Sequence, residues 1–176
     1  MPVSHIKSYF VFLSVIFLLN ACSGNKAVNV NSISPNSNSN AVAIVPIDDV
    51  EELGRIVKLP RLPEEATYYE FDLSADANSR PSVPNAKRLV AVLKFSAEYA
   101  DGVVKDAARN AAPAPLGVDA EDWFPPELVA KSQETGDVSL KGVSYPATDF
   151  LQPPYANGRL TRINDTNYFV LEMLTF

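Results

Sequence analysis

A chain of 176 residues with 15 Lys+Arg against 21 Asp+Glu carries a formal net charge of −6 at pH 7, and it contains one cysteine and one histidine. That acidity argues against nucleic acid, which selects basic surfaces, and against electrostatic docking on anionic lipid. A lone cysteine cannot close an internal disulfide, so packing alone must hold the fold.

The first 21 residues have the three parts of a secretory signal. His5 and Lys7 make a short basic opening, residues 9–19 are uncharged and mostly apolar, and the small Ala21 precedes Cys22. An apolar run of that length suits a signal peptide and falls short of the ~20 residues that a transmembrane helix needs. The stretch Leu19-Asn20-Ala21-Cys22 resembles the lipobox of bacterial lipoprotein precursors. The resemblance covers the leader alone. It implies cleavage before Cys22, diacylglycerol on the Cys22 sulfur and usually a third acyl chain on the new amino group. With Ser23 rather than aspartate next, it also implies sorting to the outer membrane, facing the periplasm. Each buried CH₂ contributes about 0.8 kcal/mol, so two or three chains exceed what stable anchoring requires. The alternative is an ordinary signal peptide or membrane anchor with an incidental cysteine.

Cleavage at that point would also discard His5, the only histidine. Only Lys7 is lost from the charged residues, leaving 14 Lys+Arg against 21 Asp+Glu, a net charge of −7. A mature chain with no imidazole and with its sulfur in a thioether lacks the groups for Ser-His-Asp or Cys-His catalysis. Thiol redox chemistry and zinc, iron or copper on His or Cys fall away with them. No cofactor and no metal site is expected.

Residues 22–40 then read as the lipidated Cys22 and a flexible tether, because "NVNSISPNSNSN" is too polar to repay the entropy of ordering. Residues 41–176 read as one globular domain. In "PIDDVEELGRIVKLP", Asp48 and Glu51 suggest a capping box, with Val50, Leu53 and Val57 on one face of a short helix closed by Pro60. "ATYYEFDLS" alternates as a half-buried strand, with Tyr69, Phe71 and Leu73 on its inner side. "ADANSRPSVPNA" is a loop, and the unbroken apolar centre of "KRLVAVLKF" predicts a central strand covered on both faces. Ser96 caps a helix to about Asn110 with Val103, Val104 and Ala107 inward, and "AAPAPLG" ends it. A short helix starts near Pro125, "DVSLKGVSY" is a strand, Asn157-Gly158 is a turn, and the segments around residues 164–167 form a last hairpin. The result is an α+β fold: a largely antiparallel sheet of about five strands with two or three helices packed on it.

Two aromatic stretches stand out. "EDWFPPELVAK" sets Asp122 beside Trp123 and Phe124, either as an acidic aromatic rim or as plugs that pin a loop to the core. "DFLQPPYANGR" offers Tyr155 and Arg159 and, with Tyr145-Pro146, would complete a shallow groove with Trp123; stiffening of a loop is the plainer reading. The remaining acid/base groups are carboxylates, Glu121, Asp122, Glu127, Asp137 and Asp149 among them, with no spacing that selects a pair. Asn164-Asp165 reads as a turn rather than a calcium ligand pair. The expected function is a membrane-anchored envelope domain that binds, without catalysis, an envelope protein or peptidoglycan. An inhibitor or immunity lipoprotein is its specific form, and a carboxylate-dependent glycan hydrolase is the alternative.

Overall fold

Several strands of this chain carry apolar residues on both sides, and the sheet they build packs a hydrophobic cluster on each face. The computed structural model describes residues 44–73, 85–134, 136 and 138–176. The leader with its lipobox and Cys22, the tether of residues 22–40, most of the loop after the first strand and Asp137 lie outside the described residues. Ala41–Phe176 forms one compact unit. Its elements run α1 (Val50–Ile56), β1 (Glu65–Asp72), β2 (Lys87–Lys94), α2 (Ala97–Ala107), β3 (Ala114–Asp119), α3 (Pro126–Glu134), β4 (Ser139–Pro146), a 3₁₀ turn (Thr148–Phe150), β5 (Asn157–Ile163) and β6 (Tyr168–Leu174). The strands make one sheet in the order β1-β2-β6-β5-β4-β3, with every neighbour antiparallel. The fold is α+β, with six strands where about five were expected.

The additional strand is β3. Pro113, Pro115 and Gly117 made that segment read as a helix terminator, yet proline is admissible on an edge strand, where its missing N–H faces no partner. Pro115 lies opposite Val143 at the sheet margin. Asn157-Gly158 likewise opens β5 instead of forming a turn.

The caps follow from side-chain oxygens placed before apolar faces. Asp49, one residue later than expected, begins α1 and accepts a hydrogen bond from the Glu52 N–H at 2.9 Å. Ser96 begins α2 and accepts from the Tyr99 N–H at 3.3 Å, as its position in the sequence suggested. Between β2 and β3 the chain crosses one face of the sheet through α2. From β3 it returns strand by strand to place β6 beside β2.

Two cores result. On the first face Leu53 of α1 and Val57 just after it, Ala100, Val103 and Ala107 of α2, and Phe150 pack on Leu89, Ala91, Leu93, Leu160, Phe169, Leu171 and Met173. On the second face Leu128 of α3 and Phe124 pack on Val90, Val92, Val118, Leu140, Ile163 and Val170. β2 is thus buried on both sides, as its apolar run required. The inner side of β1 is the reverse of the expected one: Tyr68 is 1% exposed in the first core, whereas Tyr69 and Phe71 face the second side and are only partly covered. Each side offers an aromatic, Tyr68 on one and Tyr69 and Phe71 on the other, so the alternation did not decide which side is buried more deeply; the helices on the first face did.

Gly142 marks a close inter-strand approach. A Cβ there would come within 2.5 Å of the Arg162 carbonyl oxygen and 2.7 Å of Thr161 Cγ2, so β4 and β5 meet this closely only because the position has no side chain.

Candidate functional site

The second face is covered unevenly. Leu128 and Val129 of α3, with Phe124 and Trp123, cluster with Val92, Leu140, Ile163, Tyr168 and Val170. Toward the other end of the strands the registers align Tyr69, Val90, Glu172, Arg159 and Pro146 in one row across five strands. The next row holds Phe71, Arg88, Leu174 and Asn157. Strand alternation puts all of these on the same side, and sheet pairing brings the charged members together.

Glu172 is the centre of that group. It is 7% exposed and, among the described residues, is the only buried carboxylate. Arg88 Nη2 donates to its Oε1 at 2.8 Å, and Arg159 Nε donates to its Oε2. Burial pushes the Glu172 carboxyl up, but the hydrogen bonds from Arg159 and Arg88, together with their charges, outweigh that and hold it below the ordinary carboxylate range. Arg88 also lies over the Phe71 ring, 5.5 Å from its centroid, and Phe71 meets Tyr69 edge-on at 4.8 Å. Two guanidiniums are therefore held in place by one carboxylate and one aromatic face.

Each guanidinium has five N–H donors, so one bond apiece to Glu172 leaves donors for something else. Their side chains are 36% and 48% exposed. The three groups sum to +2 − 1 = +1, a positive spot on a chain whose formal net charge is −6. Beside them opens a groove of about 410 Å³ lined by Arg88, Gly158, Arg159, Glu172 and Leu174.

The residues singled out from the sequence are divided by the sheet. Trp123 and Phe124 touch edge-on at 4.7 Å in the second core, with Phe124 3% exposed and Asp122 exposed beside them. Tyr145 and Tyr155 are buried in the first core, 7% and 3% exposed, so they share no groove with Trp123. The Tyr155 hydroxyl donates to Glu70, which also pairs with Lys87; burial and that carboxylate push the Tyr155 phenol far up. Arg159 alone among the six lies in the arginine row. Of the other carboxylates, Asp149 accepts from Asn110 Nδ2 at 3.2 Å. Among the described residues no three of His, Cys, Asp and Glu come together as a metal site, and no helix is long and apolar enough to cross a membrane.

Sequence reasoning passed over Arg88 and Glu172, and it took Phe71 as a core residue of β1. The available signal was Glu172 itself, a single carboxylate inside the otherwise apolar "YFVLEML", which needs a cationic partner if that strand is central. Which partner it takes depends on strand register, which no local pattern specified.

Trp123 acts as a plug for the α3 layer. Trp123→Ala should cost about 2 kcal/mol, less than a fully buried aromatic because its ring is only partly covered. Thermal unfolding followed by far-UV circular dichroism checks this; an unchanged midpoint would return Trp123 to the list of contact residues.

Comparison with protein-family models, with curated proteins and with solved structures finds no match to this chain.

Proposed function

We propose that this chain is a lipid-anchored, envelope-facing domain that works by binding, held to the outer membrane through Cys22 and engaging its partner at the open end of the second sheet face. The observation that carries the reading is the Arg88–Glu172–Arg159 row beside its groove. Preorganised arginines next to an aromatic pair are a recognition surface, because their geometry is fixed before the partner arrives. The partner is an envelope protein or peptidoglycan, and an inhibitor or immunity role is the specific form in which an incoming toxin or lytic enzyme is blocked.

At Glu172 the geometry suits anchoring the two arginines, not general-acid catalysis. A glycosidase needs one carboxyl kept protonated as a general acid. Glu172 is instead held ionised between two cations.

Two measurements test the proposal. Mass spectrometry of the mature N-terminus should find an acylated Cys22. A photo-reactive amino acid in place of Leu174, on the groove wall, should capture a partner in intact cells, whereas the same group in place of Tyr99 on α2 should not. An unmodified Cys22 would remove the anchor. Equal capture from both positions would remove the groove as the binding face.

A further inference from the structure

We infer that the groove takes one carboxylate of a peptide ligand, gripped by Arg88 and Arg159 on either side of Glu172; this rests on the binding reading above and names the chemistry that the face recognises.

Charge sets the first constraint. Arg88, Arg159 and Glu172 leave a net +1, which a single carboxylate neutralises. Phosphate would bring a second charge against Glu172, whose carboxylate is fixed in place and held ionised by the same arginines. Neutral glycan hydroxyls would leave the residual +1 of the three groups without a counter-charge.

Geometry sets the second. A guanidinium offers a planar fork that matches a carboxylate, and it does so best when its plane is fixed. Here Arg88 is fixed twice, by Glu172 at 2.8 Å and by the Phe71 ring at 5.5 Å, and Arg159 is fixed by Glu172. Glu172 is thus a positioning residue: it orients the two donors and leaves their outer N–H groups for the ligand.

Size and polarity set the third. About 410 Å³ lies within the range of small-ligand sites, ~300–1,000 Å³, and suits a few residues of chain. Leu174 gives the groove an apolar wall, and Gly158 presents backbone rather than a side chain, so a peptide can lay apolar side chains and main-chain amides beside the anchored anion.

The test uses the full chain in detergent micelles with three probes: N-acetyl-Ala-Leu-Ala with a free C-terminal carboxylate, the same peptide as its C-terminal amide, and inorganic phosphate. Isothermal titration should show the acid binding at least about tenfold more tightly than the amide, as charge-assisted hydrogen bonds require, and phosphate failing to compete at equal concentration. Arg159→Gln should weaken the acid about tenfold and leave the amide unchanged, and Arg159→Lys should restore only part of the loss. The comparison of acid with amide on the unaltered chain stands even if a variant does not fold. Equal affinity for acid and amide, no binding of either, or equal competition by phosphate would each overturn the inference. If the acid is not preferred while the group at Leu174 still captures a partner, the carboxylate assignment alone falls. If capture at Leu174 fails as well, the binding reading falls with it.

Discussion

Ending the chain at Asn167 should leave no folded domain. The residues lost are β6, which lies between β2 and β5 and joins the first hairpin to the returning strands β5, β4 and β3. Phe169, Leu171 and Met173 are fully buried in the first core, and Val170 is fully buried in the second, so one deletion opens both. A point substitution shows the same dependence on a finer scale. Phe169 meets Phe95 edge-on at 5.4 Å, and Phe169→Ala should cost about 3–5 kcal/mol through lost burial and the cavity left behind. Domains of this kind have only about 5–15 kcal/mol in total, so the point variant should be marginal and the truncation unfolded. Urea titration followed by Trp123 fluorescence checks both. A cooperative transition of the truncated chain near the native midpoint would show that β6 is dispensable.

What could be read in advance followed the strength of local signals. The apolar run of β2 suited a strand covered on both faces, and its burial agrees. The Ser96 cap and the apolar spacing of α2 fixed a helix and its inner face, with Val103 and Ala107 buried. β3 was hidden because its prolines are turn formers locally and become tolerable only at a sheet margin, which is a property of the finished sheet. The orientation of β1 was hidden for a related reason, since Tyr68 and the Tyr69–Phe71 pair are equally good core residues. The arginine row was the least legible feature. Arg88, Arg159 and Glu172 come from three strands up to 84 positions apart in the chain, and only the β2·β6 and β5·β6 registers bring them together. Trp123 and Tyr155 were conspicuous by composition, and the sheet places them in separate cores.

Glu172→Ala should be the costliest single charge removal in the domain, and its cost should depend on pH. Removing the carboxylate leaves Arg88 and Arg159 facing each other without their shared partner. Breaking a fully buried pair costs about 3–5 kcal/mol; both guanidiniums reach water here, which reduces the expected loss to about 2–3 kcal/mol at neutral pH. The arginines hold the Glu172 carboxyl below its ordinary value of 4.5 in the folded state. A group depressed in this way contributes stability that is complete above the unfolded value and is lost as pH falls through the folded one. The gap between the native chain and Glu172→Ala should therefore be constant near neutrality and shrink below pH 4.5 as Glu172 takes up its proton. Urea midpoints for both chains at pH 7 and at pH 3 measure it, and an equal gap at the two pH values would mean that packing rather than the ion pairs sets the cost. The variant also separates stability from recognition. With Glu172 neutralised, the two arginines carry +2 instead of +1, and the repulsion that disfavours a doubly charged anion is gone. Glu172→Gln, which keeps the side-chain shape, should consequently let inorganic phosphate compete with the peptide carboxylate, because the native carboxylate supplies the selectivity between them as well as the geometry.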